Sequence, residues 1–276
     1  MSGTGVRRLR AFVQAAHAAP TLAVTVTMTA FAWSIGWRSW ALALVGMAIL
    51  VGQLSVGWSN DAFDASADDR AGRQSKPTVR RDVSPRSLWI AASAALAAAC
   101  LLSWWAAGWF GGSFHVFALL MAWTYNVALS RTVWAWLPYA LAFGSIPPFL
   151  YIGLDGRMGP WWTVVVFAIV AVSAHLANAL PDLESDRAIG LDGLVIRLGA
   201  RRSAQLCWLL LAVATAILIV VAATSASGPA TWIVLALAFV GAMLYGTYSS
   251  RRSSMFVALL VVVVIDVVAL IASPSL

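Results

Sequence analysis

Charged residues are scarce in this chain. They make up 11% of its 276 residues, whereas hydrophobic residues make up 61%. Soluble domains carry about a quarter charged residues, so this composition excludes a separate soluble domain. Apolar runs long enough to cross a bilayer, about 18 residues or more, recur from one end of the chain to the other. The sequence therefore predicts a polytopic membrane protein.

Cysteine and histidine are also rare. The two cysteines, Cys100 and Cys207, lie in apolar segments and lack the spacing of metal ligands. We therefore expect two unreactive thiols rather than a metal centre or a disulfide framework. Neither His17 nor His115 belongs to a recognisable pattern, and neither is assigned a role. The net charge of +7 is distributed as expected for a membrane surface, and we expect no nucleic-acid partner.

Nine apolar runs predict an all-α bundle of nine transmembrane helices in a single domain over residues 1–276. Residues 1–19 predict an amphipathic interfacial helix that ends at Pro20. The loops 60–87 and 181–204 are the only long ones, and the fifth span contains three prolines that predict a kink. The predicted spans are 20–37, 41–59, 88–110, 113–130, 134–153, 161–180, 205–224, 229–248 and 254–272.

Lysine and arginine are distributed unevenly among the predicted loops. All of them except Arg38 and Arg157 fall on one side of the nine-span arrangement. Cytoplasmic loops of membrane proteins are enriched in positive residues. We therefore expect the N-terminus and both long loops in the cytoplasm and the C-terminus outside, in a bacterial cell membrane.

Two acidic motifs interrupt the apolar sequence, each at the end of an even-numbered span. NDAFDASAD begins at Asn60, and DLESD ends at Asp186. Both belong to a pattern in which an Asn is followed by Asp residues four and eight positions later, which places the three side chains on one helix face. The pattern consists of Asn60, Asp64 and Asp68 in the first copy and Asn178, Asp182 and Asp186 in the second.

Carboxylates grouped at the end of apolar helices are costly to ionise unless cations compensate them. Mg²⁺ takes oxygen ligands and is usually shared between a few carboxylates and the phosphates of a substrate. Arginine and lysine side chains nearby can bind the remaining phosphate oxygens. The doubled motif therefore predicts a site for Mg²⁺ and a diphosphate whose hydrophobic chain lies among the helices.

At these motifs the chain resembles the UbiA superfamily of intramembrane prenyltransferases, which has two such aspartate-rich motifs after its second and sixth helices. The resemblance covers essentially the whole chain and extends to GRQSKP and YNVALSR. It implies Mg²⁺-dependent transfer of a prenyl group from a prenyl diphosphate to an aromatic or quinone-precursor acceptor. The implied metal ligands are Asp61, Asp64, Asp68, Asp182 and Asp186, the last four of which also form the catalytic set. The implied diphosphate-binding residues are Asn60, Arg73, Lys76, Arg131 and, through the internal repeat, Asn178.

Further features leave alternatives open. Tyr125 and His175 are candidates for the cavity lining, and the residue that removes a proton from the acceptor is not identifiable from the sequence. A terpene cyclase of the same superfamily would use the same motifs without a second substrate. Phosphoribosyl transfer to polyprenyl phosphate and, more distantly, cation transport also fit acidic clusters in a membrane protein. Membrane lipids are expected partners in every case.

Overall fold

The computed structural model describes residues 3–188 and 190–224, together with isolated positions between 233 and 261. Its regular elements within this part of the chain are all helical, which confirms the predicted fold class there. In chain order the helices are α1 (Gly3–Ala15), α2 (Ala18–Ile35), α3 (Ser39–Arg70), α4 (Pro85–Thr124), α5 (Trp136–Gly144), α6 (Ile146–Asp155), α7 (Trp161–Ala179), α8 (Leu183–Ala188) and α9 (Leu194–Thr224).

Helix α4 is a helical hairpin rather than one straight rod. The backbone at Gly108 leaves the helical region, with φ 66° and ψ 176°. The hydroxyl of Ser103 lies 2.7 Å from Nδ1 of His115, although twelve residues of straight helix would separate them by about 18 Å. A Cβ on Gly112 would lie 2.6 Å from the carbonyl oxygen of Ser103, so the two arms touch through glycine. The hairpin therefore supplies the third and fourth predicted spans.

The fifth predicted span is divided into α5 and α6 at Ser145. Pro147 and Pro148 occupy the first turn of α6, where the missing amide hydrogens break no helical hydrogen bonds. The Ser145 hydroxyl makes no capping hydrogen bond to α6. It donates instead to the carbonyl of Leu141 at 2.6 Å. This division confirms the predicted kink and gives its cause.

The main core lies between α2, α3, α4 and α6. Phe31, Ile49, Phe149 and Leu150 are almost completely buried in it. The indole of Trp37, between α2 and α3, donates to the carbonyl of Leu150 at 3.0 Å and so ties the start of α3 to α6. A second cluster joins α7 to α9. Apolar packing of this kind sets the relative positions of the helices whose ends carry the acidic motifs.

Six helical segments in the described residues are long and apolar enough to cross a bilayer, which indicates an integral membrane protein. One of them, Pro85–Leu129, contains the α4 hairpin and accounts for two predicted spans. The predicted spans 229–248 and 254–272 lie outside the described residues. The count of nine spans is therefore not confirmed.

Three predicted boundaries differ from the structure. Helix α1 ends at Ala15, and Pro20 lies in the first turn of α2, where proline is tolerated, so it does not end the N-terminal helix. Helix α3 continues through the first acidic motif to Arg70, so the following loop begins at residue 71 and not at residue 60. The predicted loop 181–204 contains all of α8 and the first turns of α9. Polar side chains at the end of a membrane helix do not end it, because its backbone hydrogen bonds continue wherever no Gly or Pro interrupts them.

Candidate active site

The two acidic motifs meet at one arginine. The guanidinium of Arg73 donates to Asp68 at 3.0 Å and to Asp186 at 2.8 Å. Asp68 lies at the end of α3 with 1% of its side chain exposed, and Asp186 lies on α8. The backbone amide of Arg73 also donates to the carbonyl of Asp68 at 3.0 Å, which holds the loop against the helix end. The structure therefore brings the two motifs together around a shared cation.

A second arginine faces the middle of the first motif. Arg131 donates to Asp64 at 2.7 Å and lies over the ring of Phe63, 5.6 Å from its centroid. It follows a π-helical turn, Tyr125–Leu129, that ends α4, a deformation often found at functional sites. Asn60 donates more weakly to Asp64, at 3.4 Å. Asp64 is thus paired with a cation supplied by the turn that follows the π-helical segment.

The π-helical turn also positions Asn126 against α3. The Asn126 amide donates to the hydroxyl of Ser59 and to the carbonyl of Val56, both at 2.9 Å. The amide of Asn60 donates to the Asn126 oxygen at 3.3 Å. Asn126 is 3% exposed, so these bonds replace hydrogen bonds to water that its side chain loses on burial. Asn126 holds the first residue of the motif and is a site residue that the sequence interpretation missed.

Asp61 has different partners from the other motif carboxylates. One of its oxygens accepts from Lys76 at 2.6 Å and lies 2.9 Å from Nε2 of His17. An ionised carboxylate only accepts hydrogen bonds, so His17 donates this bond. The Asp61 side chain is 1% exposed. His17, to which the sequence analysis assigned no role, therefore lies at the site, and no spacing in the sequence indicates it.

The second motif is more open than the first. Asn178 and Asp182 are exposed, and within the described residues no hydrogen bond joins either side chain to the first motif. Asp182 influences the site through its charge, which acts on both Asp186 and Arg73. Of the predicted second-motif residues, Asp186 alone makes a direct bond to the loop that follows α3.

An apolar recess with an aromatic wall lies behind the carboxylates. A small cavity of about 50 Å³ lies here. It is lined by Arg131, Asp186 and His175, together with apolar residues of α8 and α9. The His175 ring packs against Tyr125 and Tyr139, with centroids 5.7 and 5.0 Å away. Tyr125 in turn meets Tyr139 edge to face at 4.9 Å. Both residues suggested for the cavity lining thus belong to one aromatic cluster beside the acidic site.

The electrostatics of the site reflect this crowding. Burial raises the pKa of Asp186 above its ordinary value of 3.8, the charges of Asp182 and Asp64 raise it further, and Arg73 opposes the rise. Burial lowers the pKa of Arg73, but its hydrogen bond to Asp186 and the charges of Asp68, Asp186 and Asp182 together outweigh burial and leave the pKa raised. The site therefore holds more negative charge than its own arginines neutralise, as an added cation would require.

The residues present fit a hard cation. One oxygen of Asp68, Oδ2, is buried and has no hydrogen-bond partner, which is costly for a carboxylate unless a ligand supplies the missing contact. Within residues 3–188 and 190–224, no three carboxylate, imidazole or thiol side chains converge as a ready-made metal cage. Mg²⁺ does not need one, because it commonly binds one or two carboxylates together with waters and substrate phosphates.

Comparison with known proteins gives the same assignment. Residues 19–268 match the model of the UbiA prenyltransferase family. The bacteriochlorophyll synthase 33 kDa chain of Cereibacter sphaeroides is 30% identical over 195 residues, which cover 66% of this chain and 63% of that protein. The match thus spans somewhat less than two thirds of that relative's length.

Solved structures share the fold. A UbiA homologue from Archaeoglobus fulgidus bound to DMAPP and Mg²⁺ aligns with a TM-score of 0.72 at 13% identity, over 96% of this chain and 99% of that one. The apo UbiA homologue from Aeropyrum pernix K1 also reaches 0.72, at 19% identity, over 90% and 97% of the two chains. The chain is therefore a member of the UbiA prenyltransferase family, as the two aspartate-rich motifs predict.

Proposed function

We propose that this protein transfers a prenyl group from a prenyl diphosphate to an aromatic or quinone-precursor acceptor, with Mg²⁺ as cofactor. The observation that carries the proposal is the bridge from Arg73 to Asp68 and Asp186, which gathers both acidic motifs around one cationic point. Family membership supports it. So do two related structures of a UbiA homologue from Archaeoglobus fulgidus, which are bound to Mg²⁺ with the prenyl diphosphates DMAPP and GPP.

Roles follow from the contacts of each side chain. Asp64, Asp68, Asp182 and Asp186 are the proposed metal ligands, and Asp68 offers its unpartnered oxygen for this purpose. The resemblance also implied Asp61 as a ligand, but Oδ1 of Asp61 accepts hydrogen bonds from Lys76 and His17. When bound, Mg²⁺ supplies positive charge that compensates the leaving diphosphate. Arg73 and Arg131, which now pair with carboxylates, are free to turn to phosphate oxygens when metal neutralises those carboxylates. The proposed diphosphate-binding residues also include Asn60, Lys76 and Asn178.

The reaction requires the allylic C–O bond to break, and the diphosphate leaves with the electron pair. Arg73 and Arg131 stabilise the negative charge that develops on the diphosphate. The aromatic faces of Tyr125 and Tyr139 stabilise the allylic cation. The acceptor carbon then attacks the cation, and loss of a proton restores the acceptor. His175 is buried at the cavity wall beside these tyrosines and lines the recess in which the acceptor would meet the cation.

We propose that this site faces the cytoplasm. In the predicted nine-span arrangement, all Lys and Arg residues except Arg38 and Arg157 fall on the side of the acidic motifs. This asymmetry is the usual signature of cytoplasmic loops. A prenyl diphosphate would then place its charged group at the cytoplasmic surface and its chain between the apolar helices.

Purified protein incubated with prenyl diphosphates of several chain lengths tests the proposal. Mass spectrometry should detect a prenylated product only when Mg²⁺ and an acceptor are both present. Candidate acceptors are aromatic acids, quinone precursors and, from the name of the Cereibacter relative, pigment precursors. A cyclised product from the diphosphate alone would show the cyclase alternative. A product formed from phosphoribosyl diphosphate and polyprenyl phosphate would show the sugar-transfer alternative.

Transport is tested separately. Protein reconstituted into liposomes should not accelerate the movement of Mg²⁺ across the bilayer beyond the rate of empty liposomes. Among the described residues, the acidic side chains of both motifs lie at helix ends, not in the middle of the apolar spans where transporters place their coupling sites. Metal flux without product formation would contradict the enzyme assignment.

A further inference from the structure

Asp61 is a hub that joins three separate parts of the chain. Its Oδ1 atom accepts from Lys76 of the loop 71–84 and from His17 at the junction of α1 and α2. Both bonds converge on one carboxylate that is 1% exposed, whereas the His17 and Lys76 side chains are 39% and 20% exposed. Buried charge-assisted hydrogen bonds of this kind are among the strongest in proteins.

The junction of α1 and α2 is seated directly on α3. A Cβ on Gly57 would lie 2.8 Å from the carbonyl oxygen of Ala16, so contact between the two backbones requires glycine at this position. The next residue of α3, Trp58, donates from its indole to the carbonyl of Phe12 at 2.9 Å. The rings of Phe12 and Trp58 also meet edge to face, with centroids 5.7 Å apart. These contacts place His17 within reach of Asp61.

The loop 71–84 connects this hub to the carboxylates around Arg73. The amide of Lys76 donates to the carbonyl of Arg73 at 2.9 Å, so the two cations share one hydrogen-bonded turn. Further along the loop, Arg80 donates to the side chain of Gln14, and Asp82 pairs with Arg7 at 3.5 Å. The N-terminal segment therefore contacts the loop directly at two places and through Asp61 at a third. The same loop carries the arginine that bridges the two motifs.

The surroundings of Asp61 differ from those of a metal ligand. Its hydrogen-bond partners are His17 and Lys76. The charge of Lys76 also reaches Asp68, but Asp68 makes its hydrogen bond to Arg73, which Asp186 shares. Oδ1 of Asp61 thus accepts from two side chains of the protein, whereas Oδ2 of Asp68 is buried without a hydrogen-bond partner. Asp61 and Asp68 therefore differ in their hydrogen-bond partners, although Lys76 acts on both.

We infer that Asp61 is a positioning residue that clamps the phosphate-binding loop to the N-terminal segment through His17 and Lys76. In this arrangement α1 and the α1–α2 junction form part of the active site, because they hold Arg73 and Lys76 at the position where the diphosphate binds. The catalytic significance of the clamp rests on the proposed function, whereas its effect on the loop does not.

Hydrogen exchange of the peptide 71–84 in the complete protein, without substrate, tests the clamp directly. Three variants weaken it by different routes: His17→Ala removes a donor, Asp61→Asn removes the charge, and Gly57→Ala separates the backbones while retaining every charged group. We expect each to speed exchange of the loop about tenfold. The double variant His17→Ala/Gly57→Ala should exchange no faster than the more affected single variant, because both remove the same contact.

The matched control is Asp192→Asn, which removes a carboxylate from an exposed pair with Arg197 and should leave exchange of the loop unchanged. If loop exchange is also unchanged in both His17→Ala and Gly57→Ala, the clamp is refuted. If Asp61→Asn fails to fold, Gly57→Ala still tests the clamp, because it changes no charged group.

Activity provides the second measurement, with geranyl diphosphate as the probe. The clamp variants should raise KM for geranyl diphosphate about tenfold and leave the Mg²⁺ concentration for half-maximal activity unchanged. An Asp61→Asn variant that needs more Mg²⁺ but keeps a protected loop would make Asp61 a metal ligand and overturn the inference. A wild-type protein without transfer activity would contradict the proposed function, and loop exchange would still decide whether the clamp exists.

Discussion

The two acidic motifs share a spacing but not an environment. In the first, Asp61 and Asp68 are buried and every member has a protein partner on another segment or on the following loop. In the second, Asn178 and Asp182 are exposed and Asp186 makes the one direct bond to the first region within the described residues. A repeated sequence pattern therefore does not imply two equivalent half-sites.

The helices explain the difference. Helix α3 continues without interruption through its motif, so successive carboxylates follow the face that packs on α4 and on the N-terminal segment. Helix α7 ends at Ala179, and Pro181 follows, so the second motif lies partly on the separate short helix α8. The first motif thus lies on one continuous helix, whereas the second is divided between two helices. We expect the binding of metal and diphosphate to draw the second motif toward the first.

The largest expected effect tests whether both motifs are essential despite this difference. Asp64→Ala and Asp182→Ala should each reduce turnover about a thousandfold, because each removes electrostatic stabilisation of the leaving diphosphate. Steady-state rates with saturating Mg²⁺ provide the measurement, and Asp69→Ala, an exposed neighbour in the first region, provides the control. Near-normal turnover of Asp182→Ala would mean that the exposed second motif is not part of the site.

A smaller effect is expected when the bridge between the two regions is removed. Arg73→Gln should raise KM for the prenyl diphosphate about tenfold to a hundredfold, since it deletes charge-assisted bonds to both motifs and a phosphate partner. Arg73→Lys should recover only part of the loss, because lysine cannot bridge two acceptors with a planar fork. Equal KM values in Arg73→Gln and wild type would show that the motifs are held together by other contacts.

Acidity should affect the second region through Asp186. Its pKa is raised above 3.8 by burial and neighbouring carboxylates, so it gains a proton at a higher pH than an exposed aspartate does as the solution is acidified. Metal binding needs the ionised form, and the loss of activity on acidification, the acid limb of the pH profile, should therefore begin at a higher pH than the titration of an exposed aspartate would give. Additional Mg²⁺ should move this limb to lower pH, because metal and protons compete for the same oxygens.

The measurement is a set of pH–rate profiles at several Mg²⁺ concentrations. If the acid limb of the profile does not shift with Mg²⁺ concentration, the carboxylates that titrate are not the metal ligands. Treatment with EDTA should stop the reaction but leave the helical circular dichroism signal unchanged, since apolar packing and not metal holds the helices. Full activity in EDTA would contradict the proposed cofactor.

The smallest effect is expected just beyond the second motif. Asp192 pairs with Arg197 at 2.6 Å, but both side chains are more than half exposed. Exposed ion pairs contribute little to stability and are screened by salt, so Asp192→Asn should change turnover less than twofold. A large loss in this variant would extend the functional part of the second region to the start of α9.

Much of the architecture was predictable because apolar length is a direct consequence of bilayer thickness. The spans through residue 224 correspond to described helices, and the prolines correctly indicate a break in the fifth. A gap between two spans was predicted at residues 111–112, whereas the hairpin turns at Gly108, inside the predicted third span. The boundary at residue 60 was misplaced because a charged side chain is a poor indicator of a helix end.

The site was predictable in its chemistry but not in its pairing. The arginines of GRQSKP and YNVALSR were identified as phosphate contacts, and both lie beside motif carboxylates. Asn126 lay within a quoted segment without being singled out, and its value depends on the π-helical turn that aims it at α3. Short-range spacing reports which residues share a helix face, whereas contacts between distant helices depend on packing.

The sequence alone determined that this is a helical membrane protein with two carboxylate motifs at helix ends, because hydropathy and residue spacing act locally along the chain. Tertiary structure decided that Arg73 joins the motifs, that Asp61 turns to His17 and Lys76, and that Asp182 remains exposed. His17 precedes Asp61 by 44 positions. Their contact exists only because glycine at position 57 lets two backbones touch, and no local pattern encodes that approach.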